Sequence, residues 1–140
     1  MPNPIQVSVP ITIANTRLYI MADSYATYVQ KVMIQGDGGK SFVGEGSGEG
    51  KRIGYWAFNV PNPGLVRFLV YVQYNDGSGL KPSSMVQQAS FSAVSLNQIV
   101  LFSEDASDKD DNDCLITFMW FTPVAVGAAI NDMALAEASL

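Results

Sequence analysis

Short stretches of β-branched and aromatic residues alternate with turn sequences along most of the chain. The clearest stretch is LVRFLVYVQY at 65–74, and the turns include GDGG at 36–39, PNPG at 61–64 and NDGSG at 75–79. Further strands are expected at 5–13, 18–21, 29–34, 53–60, 85–92, 99–102 and 114–120. Turns that recur about every 8–12 residues, without helix–strand alternation, are typical of all-β sandwiches. The pattern therefore predicts an all-β fold.

The 140 residues suit one domain, which we assign to residues 1–123. Pro10 inside the first expected strand predicts an edge strand or a bulge. The glycine-rich sequence GEGSGEG at 44–50 is expected to form a flexible loop. Residues 124–140 are alanine-rich and differ from the rest, so we predict a C-terminal extension of unknown role, in which Asn131 would cap a short helix.

The net charge of −5 is concentrated in one segment. Residues 104–113 (EDASDKDDND) hold six of the 13 acidic residues and one lysine, whereas the acidic and basic residues elsewhere cancel. Clustered carboxylates repel one another, and calcium, which takes about six to eight oxygen ligands, removes that cost. Five or six carboxylates would suit two adjacent calcium ions. A solvated acidic loop without metal is the alternative.

The acidic segment is not an EF-hand. Asp108, Asp110 and Asn112 alternate as at the start of an EF-hand loop, but Asp113 and Met119 stand where that loop requires Gly and Glu. The flanking sequences are also typical of strands and not of helices.

Several classes of function are disfavoured by composition. The chain has no histidine and one cysteine, which excludes the usual zinc sites, Ser-His-Asp and Cys-His catalysis and an internal disulfide. A pI of about 4.4 argues against a nucleic-acid partner. Residues 114–131 contain Pro123 and Gly127 and have acidic flanks, so membrane insertion is not expected. The N-terminus lacks a secretory signal pattern, which leaves a cytoplasmic location or export by a non-classical route.

The sequence SEDASDKDDND at 103–113 resembles the calcium-loop signature of the bacterial calcium-mediated fucose/mannose lectins of the LecB type, S-E-D-G-T-D-x-D-x-N-D. In that family an apolar strand ending in Trp follows, as Cys114 to Trp120 does here. PITIANTR at 10–17 and KPSSMV at 81–86 resemble other segments of the family in the same order. The similarity covers residues 5–123 and implies an antiparallel β-sandwich of about nine strands, without enzymatic activity.

The resemblance also implies a site. Two calcium ions per chain would coordinate the hydroxyls of a fucose- or mannose-type sugar, and the partners would be mono- or oligosaccharides of glycoconjugates. The chain would form a homodimer or a higher homo-oligomer. The implied metal ligands are the side chains of Glu104, Asp108, Asp110, Asn112 and Asp113 and the backbone carbonyl of Asp23, which the family places in a loop after the second strand. The implied sugar contacts are Asp105, Asp108 and Asp110, with Ser24, Tyr25 and Ala26 in the segment that sets sugar preference.

Three departures from the family leave alternatives open. The chain continues for twenty residues past Trp120, with Pro123 near the position of the family's terminal carboxylate, which reaches the partner's calcium site. Ala106 replaces a glycine, and Tyr25 is bulky, so its ring would either stack on a sugar or block fucose. One alternative function is a β-sandwich whose calcium loop is only structural, with the extension mediating assembly. Another is a hydrolase that uses Glu104 or Asp105.

The aromatic sequence around Trp56 has two interpretations as well. Tyr55, Trp56 and Phe58 could form a platform for a sugar ring. Since Trp56 and Phe58 lie two residues apart on one face of a strand, we expect them to pack in the core instead. Trp120 is also expected in the core.

Overall fold

The computed structural model describes residues 4–93, 95–104 and 113–122. These residues form one 3-10 turn, Asp37–Gly39, and eight strands whose pairings are all antiparallel. The all-β antiparallel prediction is therefore confirmed. The strands are β1 (Ile5–Ile11), β2 (Thr16–Gly36), β3 (Ser41–Val60), β4 (Gly64–Asn75), β5 (Leu80–Pro82), β6 (Ser84–Ala93), β7 (Leu96–Glu104) and β8 (Cys114–Phe121).

No helix in the described part of the chain is long and apolar enough to cross a membrane. The predicted C-terminal extension and its helix at Asn131 lie outside the described residues.

β2 and β3 form a long ribbon that belongs to both layers of the sandwich. Residues 29–36 of β2 pair with β4, whereas residues 18–24 pair with β8. Between these parts, the register with β3 shifts from Ala26 to Gln30. Strands that pass from one sheet to another commonly do so at such bulges. The separate strands expected at 18–21 and 29–34 are thus two parts of one continuous strand.

The hydrogen-bonded order β1-β4-β2-β8-β7-β6 places β1 and β6 at opposite ends of the path. β5 pairs with β4 and leads directly into β6. Inward-facing residues of both layers build the core, in which the rings of Phe68 and Phe118 lie 5.1 Å apart. The prediction that Pro10 marks an edge strand is confirmed, since among the described strands β1 pairs only with β4.

Residues 44–50, which we expected to be a flexible loop, are part of β3. Gly44 pairs with Val32 and Gly46 with Gln30. The glycines permit a close approach within the bent ribbon, because a Cβ atom on Gly44 would lie 2.5 Å from the carbonyl oxygen of Ile53. Glycine in a strand can mark such an approach as well as a loop.

The aromatic residues of β3 pack against the core, as expected. The Phe42 ring lies 5.4 Å from Trp56 and 5.6 Å from Phe58, both centroid to centroid. Trp56 and Phe58 are partly buried, Tyr55 is exposed, and Trp120 is buried. Trp56 and Phe58 therefore stabilise the fold and do not form an exposed platform.

Candidate functional site

The acidic segment connects β7 to β8 at one end of the part of the sheet formed by β2, β8, β7 and β6. Glu104 ends β7 and Cys114 begins β8, and these strands pair with each other up to Ser103 and Cys114. The predicted metal ligands Asp108, Asp110 and Asn112 and the predicted sugar contact Asp105 lie outside the described residues. The other predicted site residues, Glu104, Asp113, Asp23, Ser24, Tyr25 and Ala26, are described.

Asp113 is held between two strands by its backbone. Its amide donates a hydrogen bond to the carbonyl oxygen of Ser103 at 3.1 Å, and its carbonyl oxygen accepts one from the amide of Tyr25 at 2.9 Å. The residue is only 2% exposed. A carboxylate at such a depth requires hydrogen bonds or a cation to replace its lost hydration. The structure thus joins the acidic segment directly to the segment predicted to set sugar preference.

A row of buried residues supports this junction. Ser24 of β2 pairs with Cys114 of β8, which pairs in turn with Ser103 of β7, and all three are fully buried. The row lies immediately beside Asp113 and brings the ends of β7 and β8 against the middle of β2. The positions of Ser24 and Asp113 therefore follow from regular strand pairing, which gives the site a rigid base.

The resemblance implied that residues 23–26 form a loop after a strand. In the structure they lie within β2 instead. The register between β2 and β3 shifts at Ala22/Asp23 and again at Ser24/Tyr25. The Ala26 amide donates a hydrogen bond of 3.4 Å to Ser24 Oγ. Bulges of this kind turn backbone groups away from the ladder while the strand itself continues.

The side chain of Asp23 has a partner that the sequence did not reveal. Arg52 Nε donates to Asp23 Oδ1 at 2.5 Å, with the Arg52 side chain 53% exposed and that of Asp23 16% exposed. The two residues are 29 positions apart and meet only because β2 and β3 pair with shifted register. A sequence pattern carries no signal for this contact.

The Tyr25 ring lies beside the backbone of β3. A Cβ atom on Gly50 would lie 3.9 Å from Tyr25 Cε1, and Gly50 has a positive φ of 65°. Tyr25 is half-buried and pairs with Glu49. The ring therefore lies near the glycine-rich part of the ribbon.

The electrostatics at this end of the sheet are acidic. The pKa of the Cys114 thiol is raised to about 12. Burial is the main cause, and the nearby carboxylates of Asp23 and Asp113 contribute. A thiol with such a pKa is neither a nucleophile nor a soft metal ligand at neutral pH. Cys114 is fully buried and is therefore a core residue.

Glu104 completes the described part of the site. It pairs with Ser84 of β6, its side chain is half-buried, and its Oε1 atom is buried. Among the described residues, no three acidic or cysteine side chains gather into a metal-binding group. A complete cation site would therefore need the acidic residues between 104 and 113. Oxygen-only donors of this type suit a hard cation such as calcium.

The sequence is similar to known lectins. A family model described as Fucose-binding lectin II (PA-IIL) matches residues 7–122. No curated protein matches the chain.

Three solved structures have a similar fold. A high-affinity mannose-binding lectin from Ralstonia solanacearum is 26% identical with a TM-score of 0.62, over 83% of this chain and 96% of that one. A Chromobacterium violaceum lectin, in complex with alpha-methyl-fucoside, is 21% identical with a TM-score of 0.63, again over 83% and 96%. The C-terminal domain of a Burkholderia cenocepacia lectin is 19% identical with a TM-score of 0.61, over 89% and 98%.

Proposed function

The chain belongs to the fucose-binding lectin II (PA-IIL) family, and on that premise we propose that it binds sugars through two adjacent calcium ions. The sugar would be of the fucose or mannose type, with its hydroxyl groups coordinated by both ions. The solved lectin from Ralstonia solanacearum, which is 26% identical, is described as mannose-binding and supports this class of ligand.

The observation that carries the proposal is the position of Asp113. Its buried carboxylate ends the acidic segment, while its backbone carbonyl is hydrogen-bonded to Tyr25 in the predicted specificity segment. A metal held by the acidic segment would therefore lie next to the residues expected to contact the sugar. This arrangement couples the two functions in one rigid junction.

The described residues fit a hard cation. Asp113 and Glu104 supply carboxylate oxygens in buried or half-buried settings. We assign side-chain metal ligation to Glu104 and Asp113, together with Asp108, Asp110 and Asn112, and backbone ligation to Asp23. Calcium bound there would supply coordination positions that sugar hydroxyls occupy in place of water.

The sugar contacts in this proposal come from both segments. Asp105, with Asp108 and Asp110, would accept hydrogen bonds from sugar hydroxyls, while the segment Ser24-Tyr25-Ala26 would lie beside the ring. Ser24 is fully buried, so its contribution is to hold the segment, whereas half-buried Tyr25 presents a surface. The activity is binding without catalysis, and a homodimer would add avidity by joining two weak sites.

Thermal melts of metal-stripped protein test the proposal. Melting is measured alone, with calcium, and with calcium plus mannose, fucose or galactose. A ligand specific for the folded state adds about 2.7 kcal/mol at a hundredfold excess over its Kd. We expect a rise with calcium and a further rise with fucose or mannose but not galactose. Calcium stabilisation without any sugar response would favour the structural-calcium alternative, and no response to calcium would overturn the metal site.

Equilibrium dialysis gives the stoichiometry that the melts do not. Two calcium ions per chain are expected, and fewer than one would contradict the proposal. A chromogenic glycoside included as a control should not be hydrolysed. Turnover that Glu104→Gln abolishes would instead support the hydrolase alternative.

A further inference from the structure

An open groove lies between the two edge strands of the sandwich, far along the sheet from Asp113. Its volume is about 500 Å³, and its walls include Gln6, Ser8 and Pro10 of β1, Phe91 of β6 and Trp120 of β8. Among the described strands, β1 pairs only with β4 and β6 only with β7. Open strand edges of this kind readily accept a further strand.

The two edge strands diverge from a common point. Ile5, at the start of β1, pairs with Val70 of β4. Just before β6, the Ser83 amide donates a hydrogen bond of 3.0 Å to the Val72 carbonyl oxygen. Both strands run from this point toward the far end of the groove. An extended segment that entered at the far end would therefore be antiparallel to both.

The chain leaves β8 at that far end. Leu96, which begins β7, pairs with Phe121 near the end of β8. Thr122 is held there, because its amide donates to the Ser95 carbonyl oxygen at 2.8 Å and its Oγ1 accepts from Asn97 Nδ2 at 2.8 Å. Asn97 is itself part of the groove wall. The last described residue is thus fixed at the mouth of the groove.

The sequence beyond Thr122 suits this space. Pro123 favours a change of direction, and residues 124–130 (VAVGAAI) are apolar, mostly small and uncharged. Seven residues of strand span about 23 Å at about 3.3 Å each, a typical strand length. The groove also contains an exposed apolar side chain that a docked segment would bury, since Phe91 is 51% exposed.

The position of proline indicates whether β1 or β6 would form backbone hydrogen bonds with an added strand. Pro10 has no amide hydrogen and interrupts any ladder along β1. β6 contains no proline, so it is the better edge for an added strand. We propose that residues 124–130 dock in this groove as an additional strand, antiparallel to β6 of the same chain.

Hydrogen exchange compares the full chain with a chain that ends at Thr122. Removal of the docked segment should speed amide exchange in peptides that cover β6 by about tenfold or more, since an edge loses its protecting ladder. Peptides that cover 51–60 of β3 serve as the internal control and should be unchanged. Equal exchange in β6 for both chains would overturn the proposal.

Cysteine pairs test the same contact in the full chain, in case the shortened chain does not fold. Ser8→Cys is combined in turn with a cysteine at Val126, Gly127, Ala128 or Ala129, and oxidation is followed by non-reducing electrophoresis and mass spectrometry. An intrachain disulfide from at least one pair is expected. The native Cys114 is buried and does not compete.

The control replaces Ser8→Cys by Ser41→Cys, an exposed position on β3 away from the groove. It should give no intrachain disulfide with any of the four positions. Interchain disulfides from the Ser8→Cys pairs would show that the segment enters a neighbouring chain, and this would overturn docking within one chain. No disulfide from any pair would overturn docking at β1 and β6.

Discussion

The amide of Tyr25 donates a hydrogen bond of 2.9 Å to the carbonyl oxygen of Asp113, 88 positions later in the chain. This contact joins a bulge in β2 to the last acidic residue before β8. A shift of either backbone would move both the predicted sugar contacts and a predicted metal ligand. The proposed calcium and sugar functions would therefore depend on one junction, and variants on its two sides should separate them.

Asp113→Asn tests the metal side of this junction. Asparagine keeps the size of the side chain and the backbone hydrogen bonds but removes a buried negative charge. We expect calcium affinity to fall by at least about tenfold, or about 1.4 kcal/mol, and sugar binding to fall with it. Titration calorimetry with calcium measures the change. Glu45→Gln removes an exposed carboxylate on β3 and should leave calcium affinity unaltered; an equal loss in both variants would indicate only a general charge effect.

Asp23→Ala should have a different effect. We assign the backbone carbonyl of Asp23 to the metal, and the side chain is bonded to Arg52. Calcium stoichiometry should therefore stay the same, while stability falls by less than about 1 kcal/mol because solvent screens the half-exposed Arg52 side chain. Calcium dialysis and chemical denaturation provide the two readings. If Asp23→Ala lost calcium as completely as Asp113→Asn, the side chain would be the ligand.

The residues that could be predicted from the sequence are those whose signal is local. Runs of apolar, β-branched and aromatic residues predicted β4, β7 and β8, and Pro10 predicted an edge strand or a bulge, because each feature depends on neighbours within a few positions. The crowding of carboxylates at 104–113 likewise marked one candidate site without knowledge of the fold. Which residues of this segment hold a metal stays a prediction, since the proposed ligands Asp108, Asp110 and Asn112 lie outside the described residues.

The ribbon of β2 and β3 could not be predicted in this way. Its continuity depends on pairing between residues far apart, such as Gly46 with Gln30, and glycine-rich sequence alone is equally typical of loops. The Asp23–Arg52 ion pair depends on the same shifted register. Sequence patterns cannot predict the backbone conformation where it depends on the pairing of whole strands and not on local preference.

Substitution of Tyr25 tests whether its ring stacks on the sugar or obstructs the site. Its ring lies near Gly50 of β3 and is half-buried. We expect Tyr25→Ala to weaken binding of the preferred sugar by about fivefold, or about 1 kcal/mol, with unchanged calcium affinity. Tyr25→Phe should retain binding. Stronger binding of fucose by Tyr25→Ala would show that the ring obstructs the site.

Cys114 should be protected from thiol reagents in the folded protein. The residue is fully buried, and its pKa is raised from 9.0 to about 12. A raised pKa favours the protonated, unreactive form, so the folded protein should resist an aromatic disulfide reagent at pH 8 and also at pH 9, where an exposed thiol ionises. Full reaction in denaturant provides the control. Rapid reaction without denaturant would show that the β7–β8 end of the sheet opens readily.

The bend of the β2–β3 ribbon should depend on glycine at position 44. A Cβ atom there would lie 2.5 Å from the carbonyl oxygen of Ile53, and backbone cannot move aside as a flexible side chain would. We expect Gly44→Ala to lower the free energy of unfolding by about 1–3 kcal/mol, the usual cost of overpacking. Glu45→Ala, the next residue and an exposed one, should change it by less than about 0.5 kcal/mol. Denaturant melts of both variants without calcium measure the difference, and equal stability would mean that the ribbon is less tightly bent than the structure shows.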